Sequence, residues 1–289
     1  MRRAAPLPPR DGLGPARVRL RDGGPVLAEL QSRFGARARA KVLAGEVVDA
    51  DGTVIGPTTE LPAGAHVYLY RELPDEAPVP FDIPVLYRDD DIVVVDKPHF
   101  LATMPRGGHV AQTALVRLRR DLDLPELSPA HRLDRLTAGV LLFTTRRELR
   151  GRYQTLFANG LVKKTYLARA AVDLAIELPA VVRSRIIKRR GQLQAVEEPG
   201  PPNAETLVEL VSPDGSYRLT PRTGRTHQLR VHMASLGLPI IGDTLYPSVI
   251  DVARDDFSRP LRLLAHSVEF DDPISGRLRR FISRRSIDE

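Results

Sequence analysis

Apolar residues near the start of the chain recur at helical spacing and then give way to short alternating runs. The spaced residues of this helix face are Val26, Leu27, Leu30 and Phe34. Residues 47–52 have the pattern of a strand that ends in an Asp-Gly turn, and residues 66–70 alternate like a closing strand. The pattern therefore predicts a small α+β module over residues 18–73, preceded by a flexible N-terminus at 1–17.

Prolines and acidic residues interrupt this pattern after the module. Proline lacks a backbone donor and cannot continue a helix interior or a central strand. We therefore predict a linker over residues 74–84 and a second, larger domain over residues 85–289.

The larger domain combines short apolar runs with amphipathic stretches. Strands are predicted at residues 92–95, 140–143, 166–170, 207–211 and 217–220. Helices are predicted at residues 113–120, 145–160 with Thr145 as N-cap, and 226–236. Because helices do not separate the strands regularly, the order favours an α+β fold over a doubly wound parallel sheet.

The charge of the chain is unevenly distributed. Its net charge is +7, yet residues 1–80 hold 11 basic and 10 acidic residues, so +6 of the surplus belongs to residues 81–289. A basic surplus of this kind suits a polyanion such as nucleic acid, although an arginine-rich soluble protein would show the same balance. The absence of cysteine excludes disulfides, thiolate metal sites and cysteine nucleophiles.

Membrane and cofactor signals are missing from the sequence. No apolar run approaches the roughly 20 residues that span a bilayer, and residues 1–17 contain no apolar segment of a secretory signal. The chain has no His-x3-His pair, no phosphate-binding Gly-x4-Gly-Lys loop and no Gly-x-Gly-x-x-Gly turn. We therefore expect a cytoplasmic protein without a metal or a nucleotide cofactor.

One short sequence motif, together with five further motifs, contains the candidate catalytic residues. Residues 129–139 read Pro-Ala-His-Arg-Leu-Asp-Arg-Leu-Thr-Ala-Gly and precede an apolar strand. Taken alone, an aspartate between two arginines would usually be a solvated, ion-paired turn. Further blocks follow a fixed order along the chain, at residues 91–98, 163–168, 223–232, 239–246 and 264–270.

Together these blocks resemble the RluA-type family of RNA pseudouridine synthases over residues 85–285. The resemblance implies the pseudouridine synthase fold, a mixed and largely antiparallel central sheet with flanking helices. It also implies catalysis without a cofactor on a uridine flipped out of structured RNA. The chain has Leu136-Thr137-Ala138 where family members commonly have Asp-Thr-Ser, and His99-Phe100 where they often have glycine.

The resemblance assigns three catalytic residues. Asp134 is the catalytic carboxylate, and Arg225 is the guanidinium that keeps it ionised where burial alone would raise its pKa. Tyr166 lies against the uracil, since an aromatic face supports a base outside its stack. Taken by itself, Tyr166 could equally be a core tyrosine.

Basic residues around these blocks are the predicted RNA contacts. Arg132 is the candidate to fill the space that the flipped base leaves, unless it is a simple surface arginine. The run at residues 183–190 holds five positive charges in eight residues, which fits either an RNA-gripping loop or a solvated face. The predicted contacts are Arg132, His131, Arg135, Lys97, Arg183, Arg185, Lys188, Arg189, Arg190, Arg222 and Arg230.

We therefore predict a monomeric RNA pseudouridine synthase, an isomerase. Its favoured substrate is ribosomal RNA, and tRNA is the alternative substrate. The module at residues 18–73 resembles a degenerate form of a small RNA-binding domain. One alternative is a non-catalytic RNA-binding factor for ribosome assembly on the same fold. A third class, an aspartate-dependent nucleoside or glycoside hydrolase, typically needs a second carboxylate as general acid, and the blocks offer no obvious one.

Overall fold

The computed structural model describes residues 5–73 and 75–288 and divides the chain into two compact units between Asp75 and Glu76. Residues 1–4 of the predicted N-terminal segment, Pro74 of the predicted linker and Glu289 lie outside the described residues. Each unit has its own hydrophobic core.

The first unit packs two short helices against two-stranded sheets. Its elements are β1 (Ala16–Arg19), β2 (Gly24–Pro25), α1 (Val26–Phe34), α2 (Ala36–Leu43), β3 (Glu60–Leu61) and β4 (His66–Leu69). Strands β1 and β4 pair antiparallel, as do β2 and β3. The core is formed by apolar residues of the helices and of the segments around them, among them Leu20, Val26, Leu30, Ala38, Val42, Val47, Ile55 and Val67.

Residues 8–17 of the N-terminus that the sequence predicts to be flexible make contacts with this unit. Arg17 pairs with Tyr68 inside the sheet of β1 and β4. The hydroxyl of Tyr70 donates to the carbonyl of Pro8 at 2.7 Å, and the Arg10 guanidinium lies 3.9 Å from the centre of the same ring. A segment rich in arginine and proline shows no apolar periodicity, so its pattern could not predict these contacts.

The second unit contains most of the chain. Its strands are β5 (Val85–Arg88), β6 (Ile92–Lys97), β7 (Ser128–Pro129), β8 (Ala138–Thr144), β9 (Lys163–Arg169), β10 (Ala180–Ser184), β11 (Ile186–Ile187), β12 (Val196–Glu197), β13 (Ala204–Ser212), β14 (Ser216–Pro221), β15 (Leu263–Asp271) and β16 (Leu278–Ile282). Its helices are α3 (Ala114–Asp121), α4 (Arg150–Ala158) and α5 (Gln228–Ser235), with a short 3-10 turn at Arg147–Leu149.

Ten of these strands form one sheet with the order β10-β13-β14-β9-β15-β8-β6-β5, with β16 beside β15 and β7 beside β8. All neighbouring strands pair antiparallel except β15 and β8, which run parallel. The predicted α+β class with a mixed, largely antiparallel sheet is confirmed.

The sheet is covered on both faces where β6 and β8 lie, and every residue of these two strands is buried. Alternate residues of β6 point to opposite sides: Val93 and Val95 pack with α3, whereas Ile92 and Val94 pack with Tyr153 of α4. Burial on both faces explains why these strands are continuous apolar runs in the sequence.

The predicted linker lies mostly on the second unit. From Glu76 onward it belongs to that unit, and Val79 packs against its core. The Glu76 carboxylate accepts three successive backbone N–H groups, those of residues 110, 111 and 112, at 2.8–3.1 Å. The Arg117 guanidinium donates to the Val79 carbonyl at 3.1 Å. A proline-rich segment forms no ladder, but its carbonyls and side chains still bind a folded surface.

Two helices begin later than predicted. Thr145 is not an N-cap, because its hydroxyl donates to the carbonyl of Asp90, and the 3-10 turn separates it from α4. Helix α5 begins at Gln228 because His227 takes a left-handed conformation, with φ of 58° and ψ of 15°. Both residues act in tertiary contacts that local spacing does not reveal.

Candidate active site

Asp134 lies in the loop between β7 and β8, and residues on either side of it are anchored. Thr103 Oγ1 accepts the N–H of Leu133 at 3.1 Å and donates to the carbonyl of the same residue at 2.8 Å. His99 Nδ1 donates to the Leu136 carbonyl at 2.7 Å. The Asp134 side chain itself is 32% exposed. The loop is therefore fixed while its carboxylate remains reachable.

Gly139 ends this loop and permits the parallel pairing of β8 with β15. A Cβ added at Gly139 would lie 2.3 Å from the Ala265 carbonyl oxygen, and its φ is 110°. Only glycine fits such a close backbone approach at this φ. The glycine of the catalytic block thus brings the Asp134 loop beside the central strands.

Arg230 of α5 is the guanidinium that approaches Asp134. Its Nη1 lies 3.9 Å from Asp134 Oδ2. The same guanidinium binds both oxygens of Asp243, at 2.8 and 2.6 Å, and both of these side chains are almost fully buried. Asp243 also accepts the N–H groups of Leu245 and Tyr246 at 2.8 and 3.1 Å. The fork of Arg230 is therefore held by Asp243 and offers its remaining side to Asp134.

The predicted pairing of Asp134 with Arg225 is wrong. Arg225 is exposed, and its Nε donates to the Asn203 carbonyl at 3.0 Å. It lies before the left-handed His227, outside the helix, whereas Arg230 points inward from the first turns of α5. Both arginines belong to one sequence block, and the spacing alone does not say which of them is buried.

Tyr166 lies at the centre of the sheet, opposite Ala265 of β15 and Leu219 of β14. It is partly buried and packs against two of the core clusters. Burial, and then the charge of Asp134, raise the pKa of Tyr166. These two clusters also contain Leu136 and Leu133, which flank Asp134, so Tyr166 lies near the Asp134 loop with its phenol protonated at neutral pH.

Lys97 was predicted to contact RNA, but its side chain is fully buried. Its Nζ donates to the carbonyls of Pro98 at 2.9 Å, Leu101 at 2.8 Å and Arg135 at 3.4 Å. Burial lowers the pKa of Lys97 to about 7, while the charge of Asp134 acts in the opposite direction. Lys97 therefore links the 97–101 segment to the Asp134 loop, and the prediction of an RNA contact is wrong.

His131 and Arg230 were also predicted RNA contacts, and they too have internal partners. His131 Nε2 accepts the N–H of Leu142 at 3.2 Å, and its ring stacks on Phe157 with 4.2 Å between the ring centres. Burial lowers the pKa of His131 to about 3, so the ring is neutral. Arg230 is 2% exposed. Arg230 therefore cannot reach a phosphate in this conformation, and the neutral His131 ring offers a phosphate no positive charge.

The remaining predicted contacts are accessible to different degrees. Arg132 and Arg190 are exposed and have no ion pair within the described parts of the chain. Arg135 is partly buried, with Nη1 3.5 Å from the Phe100 carbonyl. Arg183 and Arg222 share the Glu205 carboxylate at 2.7 and 3.2 Å.

The basic run lies on an arm, residues 185–198, whose strands β11 and β12 pair antiparallel. Arg189 pairs with Glu198 at 2.5 Å, and Arg185 is partly buried beside Gly200. Lys188 Nζ donates to the Gln192 carbonyl. Burial lowers the pKa of Lys188, as does Arg106, whereas Asp134 opposes the shift. The charge of Asp134 thus acts on one cation of the arm.

Sequence reasoning missed three residues of the site, which are Asp243, Tyr246 and His227. Asp243 and Tyr246 lie in the block at 239–246, which the sequence singled out without assigning roles. Their signal was an aspartate followed three residues later by a tyrosine, and nothing in that spacing names the partner.

Among residues 5–73 and 75–288 no group of histidine, cysteine and acidic side chains is arranged to hold a metal ion. No helix within the same residues has the length and apolar character needed to cross a membrane.

Comparison with known proteins decides the family. The model of the RNA pseudouridylate synthase family matches residues 91–235, which include Asp134, Tyr166 and Arg230. The uncharacterized RNA pseudouridine synthase slr1592 of Synechocystis is 32% identical over 206 residues, which are 69% of this chain and 70% of that protein. The dual-specificity RNA pseudouridine synthase RluA of Escherichia coli K12 is 35% identical over 57% of this chain and 77% of its own. The chain belongs to the RluA-type family of RNA pseudouridine synthases.

Further relatives of this synthase agree with that conclusion. Human pseudouridylate synthase RPUSD2 is 35% identical over 58% of the chain, although the match spans only 31% of the human protein. The solved structure of human RNA Pseudouridylate Synthase Domain Containing 1 shares the fold, with a TM-score of 0.55 and 24% identity over 71% of this chain and 84% of that one. The prediction of an RNA pseudouridine synthase, an RNA-modifying isomerase, is confirmed.

Proposed function

We propose that Asp134 is the catalytic carboxylate and that it acts on the ribose of a uridine flipped out of folded RNA. Its contact with Arg230, itself fixed by Asp243, carries this proposal. A carboxylate in a pocket emptied of water loses solvation and would take up a proton. A guanidinium that cannot lose its own proton keeps the neighbouring carboxylate ionised.

The reaction needs no redox change. The N1–C1′ bond breaks, the uracil turns, C5 bonds to C1′, and a proton leaves C5 while N1 gains one. Asp134 can serve either as a nucleophile at C1′ or as a base that removes a proton from C2′ of the ribose. Either route needs an ionised carboxylate beside the sugar and a surface that holds the detached base. Tyr166 is our candidate for that surface, since it packs against the clusters that contain Leu133 and Leu136, the residues on either side of Asp134.

Structured RNA is the proposed partner. Arg132 is exposed two residues before Asp134, where it can fill the space of the flipped nucleotide or hold a phosphate. Arg190 and Lys188 on the arm, together with Arg135, Arg183, Arg185, Arg189 and Arg222, are the proposed backbone contacts. We expect ribosomal RNA to be the favoured substrate and tRNA the alternative. We also expect the protein to act as a monomer in the cytoplasm.

The test compares total RNA from cells with and without this gene. Positions that carry pseudouridine only when the gene is present identify the substrate. The purified protein should then restore pseudouridine in RNA from the deletion strain, and Asp134→Asn should not. Asp271→Asn is the matched control, because Asp271 is exposed at the end of β15. Equal product from wild type and Asp134→Asn would refute the catalytic role.

The rival functions gain no support from the site. A non-catalytic assembly factor has no need of the buried Arg230–Asp243 pair beside an exposed carboxylate. A hydrolase would need a general acid, yet Asp243 has both oxygens engaged by Arg230. Release of free uracil instead of pseudouridine would favour that class.

A further inference from the structure

His227 is held in an unusual position at the edge of the site. It precedes α5 in a left-handed conformation, with φ of 58°. Residues other than glycine adopt this region rarely, and such residues cluster at functional sites. The conformation turns the residue out of the helix, and the ring is only partly buried.

One ring nitrogen of His227 is fixed by Tyr246. The Tyr246 hydroxyl accepts the N–H of Ala195 at 2.7 Å and donates to the carbonyl of the same residue at 2.9 Å. His227 Nδ1 lies 2.8 Å from this hydroxyl. We assign the single hydrogen of the phenol to the Ala195 carbonyl, which makes His227 Nδ1 the donor to the hydroxyl oxygen. In the neutral ring, Nε2 then carries a lone pair.

Within residues 5–73 and 75–288, the other ring nitrogen of His227, Nε2, makes no hydrogen bond. It is not one of the fully buried unpaired atoms, so it stays accessible to solvent. Contacts link this ring to Asp134: Tyr246, which is hydrogen-bonded to His227, has its ring centre 5.3 Å from the Arg230 guanidinium carbon, and Arg230 Nη1 lies 3.9 Å from Asp134 Oδ2. Burial lowers the pKa of His227, and the charge of Asp134 opposes the shift. An oriented acceptor therefore remains open at the edge of the site that contains Asp134.

We propose that His227 Nε2 accepts a hydrogen bond from the ribose 2′-hydroxyl of the flipped nucleotide, and that Tyr246 is the positioning residue that aims the ring. The inference rests on the proposed function of Asp134. Both routes place that carboxylate at C1′ or C2′, and the 2′-hydroxyl is bonded to C2′. The 2′-hydroxyl is also the group by which a protein distinguishes RNA from DNA.

Binding to two oligonucleotides tests the contact. Both carry the sequence around the position found by mapping, one with uridine and one with 2′-deoxyuridine at that position. The Asp134→Asn background stops turnover, and His227→Asn is added because asparagine tolerates a left-handed conformation. We expect the preference for the uridine oligonucleotide, as a ratio of Kd values, to fall about fivefold, the value of one neutral hydrogen bond.

The controls separate this contact from general effects. Any change of sugar pucker in the deoxy oligonucleotide affects both proteins equally, so it cancels in the ratio. His66→Asn, in β4 of the first unit, should leave the ratio unchanged. An equal ratio with and without His227 would overturn the proposal.

Tyr246→Phe tests the positioning role. It removes the hydroxyl but keeps the ring, whose centre is 5.3 Å from the Arg230 guanidinium carbon. We expect the Kd ratio to fall as it does in His227→Asn. Tyr217→Phe is the matched control, since it removes a hydroxyl that donates to the Ala171 carbonyl at 2.7 Å. An unchanged ratio in Tyr246→Phe would refute the role of Tyr246. A wild type that forms no pseudouridine would instead refute the proposed function.

Discussion

Replacing Arg230 with methionine tests whether Arg230, rather than the Arg225 expected from the sequence, is the cation that supports this site. Methionine keeps an unbranched apolar chain but removes the guanidinium that joins Asp243 to Asp134. The side chains of Arg230 and Asp243 are 2% and 1% exposed, so no water replaces the lost contacts. Asp243 would keep only the N–H groups of Leu245 and Tyr246. The substitution therefore leaves a buried carboxylate without its cation.

The expected losses follow from this geometry. Breaking a buried pair by removing one partner costs about 3–5 kcal/mol in the free energy of unfolding. At 3.9 Å the attraction between Arg230 and Asp134 is about 4 kcal/mol at an effective dielectric constant near 20. Solvent screens part of it, because Asp134 is about one third exposed. If roughly 2.7 kcal/mol remains in the transition state, kcat falls about 100-fold.

Urea unfolding and single-turnover kinetics measure these two losses. With a slope of about 2–3 kcal/mol per molar urea, the midpoint of the second unit should fall by about 1–2 M. Arg225→Met is the matched control, since Arg225 is exposed and should change unfolding by less than about 0.5 kcal/mol. If Arg230→Met lost under about 1 kcal/mol and kept its kcat, or if Arg225→Met showed the larger losses, the assignment of the ion pair would be refuted.

Two further predictions concern the frame of the site. Gly139→Ala should destabilise the protein by more than about 3 kcal/mol in thermal unfolding, because its Cβ would lie 2.3 Å from the Ala265 carbonyl oxygen; Gly151→Ala, in open space on α4, is the control, and equal melting temperatures would contradict the argument. Burial lowers the pKa of His99 to about 4, so the unfolded state takes up a proton first as the pH falls below about 6.5. Stability should therefore be complete above pH 6.5 and decline towards pH 4, and His99→Gln should reduce the slope of the urea midpoints over that range, leaving the part that comes from His131; an unchanged slope would refute the assignment to His99.

Much of the fold could be predicted from the local sequence pattern, because the apolar residues that form the pattern are also the residues that pack in the core. Strands β6 and β8 are buried on both faces, so residues 92–95 and 140–143 within them appear as unbroken apolar runs. Thr113 was predicted to open a helix, and its hydroxyl does cap α3. The arm and the packed segment at 76–84 were not accessible in this way. Their contacts are made by backbone groups and single side chains, which leave no periodic signal.

The candidate site shows the same difference between residues that a sequence pattern identifies and residues whose contacts leave no pattern. Asp134 and Tyr166 lie in blocks that resemble a known family, and Tyr166 packs against the clusters of Leu133 and Leu136, which flank Asp134. The choice of Arg225 over Arg230 failed because both arginines occupy one block, and burial is decided by the left-handed turn at His227. Lys97 and His131 were assigned to RNA because of their charge or their neighbours. A basic residue beside a catalytic block can equally bind carbonyls or accept a backbone N–H.

Two buried cations, Lys97 and Arg230, interact electrostatically with Asp134, and their different chemistry gives them different roles. Lys97 has its ammonium on three carbonyls, and burial lowers its pKa to about 7, so its charge is partly lost at neutral pH. Arg230 keeps its charge over the whole physiological range, and Asp243 fixes its direction. Arg230 is therefore the permanent positive charge beside Asp134, whereas Lys97 holds the loop in place. A lysine at position 230 would lack the fork that binds Asp243 and reaches Asp134 at once, which is a physical reason for arginine there.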